Sequence, residues 1–140
     1  MDALMELGQR VLAQQPFSTL LGTRLTRLEK GEAELELPLR AELSQQHGFA
    51  HGGVLSYLAD NALTFAGGSA MDVPVVTSEF KINYIRPALG SRLIARARAL
   101  HAGRRQSVCH CDIVALTDEG ETLVAVAQGT IAAMSKRETP

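Results

Sequence analysis

The sequence predicts an α+β fold in which one antiparallel β-sheet wraps around a single buried helix. Three observations lead there. Residues 54–66, VLSYLADNALTFA, are apolar in nearly every direction at helical spacing, the pattern of a helix enclosed all round. Four strand-like stretches follow it, each closed by a turn signal. Two strands precede it, so the helix is set between two groups of strands.

In chain order, Leu4, Leu7, Val11 and Leu12 recur at helical spacing within 3–14, and Pro16 closes that helix. A helix within residues 1–16 therefore caps the fold. Residues 20–28 and then Ala33, Leu35 and Leu37, alternating with Glu32, Glu34 and Glu36, read as two strands about the turn at Lys30 and Gly31. A polar loop over 40–50 delivers the chain to the buried helix, which is expected to end near Gly67 and Gly68. The later strands are 73–86, 91–102, 106–117 and 122–134, separated by Pro87 and Gly90, by Gly103, and by Asp118, Glu119 and Gly120. Residues 17–135 form one domain, and 136–140 read as a loose tail.

The bulk numbers exclude several function classes. A chain of 140 residues with 46% hydrophobic content builds a core without disulfides or metal. Fourteen basic against fifteen acidic residues give no electrostatic case for nucleic acid as a partner. The start, Met1-Asp2, lacks the pattern of a signal peptide and no apolar run is long enough to span a membrane, so a cytoplasmic protein is expected. Cys109 and Cys111 share one side of a strand around His110 and lack further ligands nearby, so they read as small buried hydrophobes and no metal is expected.

Chemistry concentrates in the central helix. Ser56, Asp60 and Thr64 fall at i, i+4 and i+8, one narrow polar stripe with Asn61 beside it. A carboxylate among apolar neighbours is costly unless it is paired or faces a cavity, so the stripe lines a site. The helix opens on His51-Gly52-Gly53, where free N–H groups carry partial positive charge and no side chain blocks approach. Such amides donate to a carbonyl oxygen as it becomes an oxyanion, and Asp60 supplies a nucleophile or general base. His51 has no acid at local spacing to orient it, so it fixes the helix start rather than serving as base.

With this element order, the stretch GFAHGGVLSYLADNALTFA from Gly48 to Ala66 closely resembles the hotdog fold, in particular the acyl-CoA thioesterases of the phenylacetate-pathway (PaaI-like) group. The resemblance implies that the thioester carbonyl is bound at His51, Gly52 and Gly53, with Asp60 as nucleophile or general base. It also implies an assisting amide at Gln45, next to the equally possible Gln46, a polar companion at Thr64, and a strand hydroxyl at Thr77 or Ser78. No cofactor is implied beyond the coenzyme A carried by the substrate. Arg104 and Arg105, after Gly103, match a basic pair at a turn and are candidates for the nucleotide phosphates.

Asp60 lies seven or eight residues from the glycines, on the order of 11 Å along a helix, too far for both to touch one carbonyl group. Two copies with antiparallel central helices bring Asp60 of one to Gly53 of the other, so a double-hotdog homodimer is expected. The resemblance adds pairing of dimers into tetramers. Two other hotdog functions compete: a hydratase or dehydratase acting on the thioester without cleaving it, and a noncatalytic acyl-CoA-binding sensor. The spacing from His51 to Asp60 argues against the first, and the short stretch before the first strand against the second.

Overall fold

The computed structural model describes residues 2–135, so the expected tail at 136–140, with Lys136 and Arg137, lies outside the described residues. The chain forms α1 (Ala3–Ala13), α2 (Pro16–Leu21), β1 (Arg24–Glu29), β2 (Glu32–Pro38), a 3-10 turn (Ala41–Leu43), α3 (Gly52–Met71), β3 (Val75–Tyr84), β4 (Arg92–Ala102), β5 (Gln106–Thr117) and β6 (Gly120–Ala133). The six strands make one antiparallel sheet in the order β1-β2-β4-β5-β6-β3. α3 touches all six strands. This is the hotdog arrangement, a sheet folded about one long helix.

Small residues seat that helix. Ala59, Ala62 and Ala66 are fully buried against the sheet, while Leu58 and Leu63 fill the space beside them. At Gly67 even a methyl group has no room, because a Cβ would lie 2.5 Å from the Ser107 hydroxyl and 2.8 Å from Ile131 Cβ. The sheet answers with Leu35, Leu37, Leu93, Ile113 and Ile131, all without exposure. On its outer side the strands turn charges to water, where Arg96 bridges Glu34 at 2.9 Å and Glu121 at 2.7 Å.

Two sequence expectations change here. The strand expected over 20–28 begins at Arg24, because Pro16 starts a helix as well as closing one. Its fixed φ suits the first helical position, and Gly22, at φ 84°, turns the chain out again. The central helix also runs beyond Gly67 and Gly68 to Met71, ending on Asp72 in the left-handed region at φ 56°. Gly67 serves close packing there instead of termination.

α1 and α2 are tied to α3 by a relay of hydrogen bonds. Thr23 donates to the Tyr57 phenol at 2.7 Å, Tyr57 to Ser18 at 2.6 Å, and Ser18 to Gln15 Oε1 at 2.6 Å. Phe17 packs edge-on against the Tyr57 ring, with centroids 5.1 Å apart.

Cys109 and Cys111 both lie in the core with no exposed surface. Burial pushes both thiols up, Cys111 to about 12 with the Asp112 carboxylate adding to it, so the reactive thiolate is suppressed. At about pH 8 a thiol reagent should therefore label neither cysteine in the folded protein and both after unfolding. Mass spectrometry of the adducts checks this, and labelling of the native fold at the rate of a free thiol would contradict the burial.

Candidate active site

The helix start is built by a tethered loop. The Ala50 amide donates to the Ala88 carbonyl at 3.0 Å and the His51 amide to the Leu43 carbonyl at 2.8 Å. Held extended at ψ 136°, His51 is the N-cap, and its Nδ1 accepts the Gly53 amide at 2.8 Å. The Val54 amide returns to the His51 carbonyl at 2.9 Å. From β3, the Tyr84 phenol donates to the Gly52 carbonyl at 3.0 Å and accepts from Ser56 Oγ at 2.6 Å. The peptide between Gly52 and Gly53 is thus held at both ends. The Gly52 amide has no partner among the described residues, so it is the free donor at the positive end of a 20-residue helix. Its missing side chain keeps the approach open beside the Tyr84 ring, whose Cζ would stand 3.4 Å from a Cβ.

Asp60 is half-buried two turns further on. Thr77 donates to its Oδ1 at 2.6 Å, and Thr64 donates to its backbone carbonyl at 2.8 Å while standing 3.0 Å from the Thr77 hydroxyl. Oδ2 has no hydrogen bond, and the carboxylate no ion pair, among the described residues. One oxygen is fixed and the other is available. A β-bulge explains why Thr77 reaches Asp60 and Ser78 does not. The register with β6 slips between Thr77 and Glu79, so Val75 and Thr77 face the helix before the bulge and Phe80 and Ile82 after it, leaving Ser78 exposed.

Several expected residues are placed elsewhere. Gly53, expected to donate to the substrate, spends its amide on His51. Asn61 points under the N-terminal helices, where its Nδ2 donates to Gln15 Oε1 at 3.1 Å and to Ser18 at 3.3 Å, not toward Asp60. Gln45 uses its side-chain oxygen to accept the His47 amide within its own loop, and Gln46 is exposed. Arg104 and Arg105 sit exposed at the turn between β4 and β5, their guanidinium groups without ion pairs among the described residues. Sequence reasoning missed the Tyr84 tether. The available signal was Ser56, four residues after Gly52 and hence above it on the helix, a polar group in need of a partner.

Comparison with known proteins shows the family. Residues 47–122 match the thioesterase superfamily. The chain is 29% identical over 120 residues to the 1,4-dihydroxy-2-naphthoyl-CoA hydrolase of Listeria monocytogenes, covering 84% of this chain and 95% of that protein. It is 32% identical over 95 residues to the acyl-coenzyme A thioesterase PaaI of Escherichia coli, 67% of each chain. The crystal structure of a thioesterase family protein from Silicibacter pomeroyi superposes with a TM-score of 0.90 at 34% identity, over 94% of this chain and 98% of that one.

The unequal use of the two glycine amides is directly measurable. In amide hydrogen exchange Gly52 should exchange near the rate of an open chain while Gly53 is protected, and His51→Ala should remove the protection of Gly53 alone. Equal protection of both amides in the parent protein would contradict the capping geometry.

Proposed function

The chain is a PaaI-like, hotdog-fold member of the thioesterase superfamily and a thioester hydrolase, and we propose that it cleaves an acyl-CoA to the free acid and coenzyme A at sites shared between two copies. The observation that carries the reading is the pair of unused groups on one helix, a free amide at Gly52 and a free carboxylate oxygen at Asp60. They are eight residues apart, about 12 Å along the axis, so one carbonyl group cannot meet both within a single chain.

Antiparallel packing of two α3 helices joins them. The Ser56 and Asp60 face of α3 is only half-buried beside β3, and β3 is an edge strand on which Val76 and Tyr84, with Ile85 just after it, are each more than 40% exposed. An edge that offers unpaired backbone and apolar side chains pairs readily with a second copy. Pairing of such dimers into tetramers belongs to the same proposal.

In the proposed reaction the Gly52 amide of one protomer accepts the charge developing on the thioester oxygen. The free oxygen of Asp60 from the other protomer then attacks the carbonyl carbon. The carbon–sulfur bond breaks, the thiolate of coenzyme A leaves, and water hydrolyses the resulting mixed anhydride. As general base, the same oxygen instead takes the proton of an attacking water. Thr77 holds the carboxylate in place, and Thr64 supports it from the next turn. Of the two glycine amides expected to donate, Gly52 keeps the role while Gly53 is bonded to His51, and His51 positions the helix start, since its Nδ1 is occupied. The unpaired Arg104 and Arg105 are offered to the nucleotide phosphates. Coenzyme A enters only as part of the substrate.

Asp60→Asn should lower turnover about 10²–10⁴-fold with melting temperature and oligomeric state nearly unchanged. Thiol release from a panel of acyl-CoA esters measures it, and a near-normal rate removes Asp60 from the mechanism.

Gly52→Pro tests the amide, because proline is well tolerated at the first helical position and lacks the N–H, with Gly52→Ala as the control that adds a side chain beside Tyr84 and keeps the N–H. The expected loss in Gly52→Pro is about 10²–10³-fold. If each site takes one group from each copy, co-refolding equal amounts of the Gly52→Pro and Asp60→Asn chains restores about a quarter of parental activity, since half the dimers are hybrids with one intact site. A mixture as inactive as its components would place both groups in a single chain.

A further inference from the structure

Next to Asp60 lies an open groove of about 540 Å³ between α1 and the C-terminal half of α3, a volume typical of small-molecule sites. We propose that this groove takes the acyl part of the substrate, and that the substrates of choice carry medium-length aliphatic acyl chains. The inference rests on the reading of Asp60 as the reacting acid.

Position comes first. Thr64 lines the groove and is also bonded to the Asp60 carbonyl and in contact with Thr77, so the groove begins one helical turn, about 5.4 Å, from the proposed reaction centre. Shape follows from the helix. From Thr64 the groove continues along α3 to Asp72, eight residues and about 12 Å, which suits an extended chain better than a compact ring.

Chemistry selects among the parts of the thioester. The walls are Leu7 and Val11 from α1, Phe65 from α3 and Val75 from β3. Leu7 and Val11 are 49% and 40% exposed, an unfilled apolar surface facing the groove. No lysine or arginine lines it, and the one charge, Asp72, stands at the far end. The phosphates of coenzyme A find nothing there to bind, and the apolar walls favour an aliphatic acyl chain.

The test is a series of straight-chain acyl-CoA esters from acetyl to dodecanoyl. kcat/KM should rise about three- to four-fold per added methylene, as expected for burial of each group, and level off once the groove is full. Val11→Trp and Val73→Trp, each filling the groove from a partly exposed position on opposite walls, should flatten this profile. The loss should grow with chain length and reach at least tenfold for octanoyl-CoA, with melting temperature and oligomeric state unchanged.

A flat profile in the parent enzyme, with hydrolysis still abolished by Asp60→Asn, overturns the groove assignment and leaves the hydrolase reading standing. Dissociation of the oligomer by both tryptophan variants assigns the groove to a subunit contact and also overturns it. Failure to hydrolyse any member of the series while an aromatic acyl-CoA is cleaved overturns the groove assignment alone, and failure on both removes the hydrolase reading with it.

Discussion

The structure depends on how closely α3 sits against the sheet. Ala59, Ala62 and Ala66 are fully buried, and Gly67 has no room for a methyl group, so the helix backbone lies unusually near β5 and β6. The strands cover the apolar faces of the helix, the N-terminal helices meet its Tyr57 and Asn61 side, and a polar strip runs along β3. Ser56, Asp60 and Thr64 lie on that strip. A carboxylate is tolerable there because it is only half-buried and Thr77, on β3, donates to it, with Thr64 bonded to the Thr77 hydroxyl behind.

Much of this was legible from residue order. The all-round apolar pattern of 54–66 identified the enclosed helix, and alternation on either side identified the strands, because burial of one face forces a two-residue period. Boundaries were less legible. Pro16 is compatible with closing one helix or opening the next, and only the left-handed Gly22 downstream shows that it opens one. Gly67 and Gly68 read as a stop signal because local propensity favours one, yet packing under Ser107 and Ile131 keeps the helix going to Met71.

The candidate site divides in the same way. Asp60 was visible as a polar residue at a buried position, and its link to Thr64 follows from helical spacing. The choice between Thr77 and Ser78 was not visible, since a bulge changes the parity of a strand without leaving a mark in its composition. Nor was the division of labour between Gly52 and Gly53, which depends on a side-chain torsion of His51 that no spacing rule predicts. Asn61 looked equivalent to its neighbour because it is only one residue away. One step around a helix is a large rotation, enough to turn it toward Gln15 and Ser18.

The relay from Thr23 through Tyr57 and Ser18 to Gln15 gives the first twenty-odd residues more than a capping role. Ser18 is 1% exposed, so stripping these residues away would strand the Tyr57 hydroxyl and the Asn61 amide without their partners. The N-terminal pair of helices is therefore a cooperative part of the domain rather than an appendage. It also makes a separate evolutionary dial: substitutions in α1 can move one wall relative to the other and retune chain selectivity while every atom around the acid stays where it is.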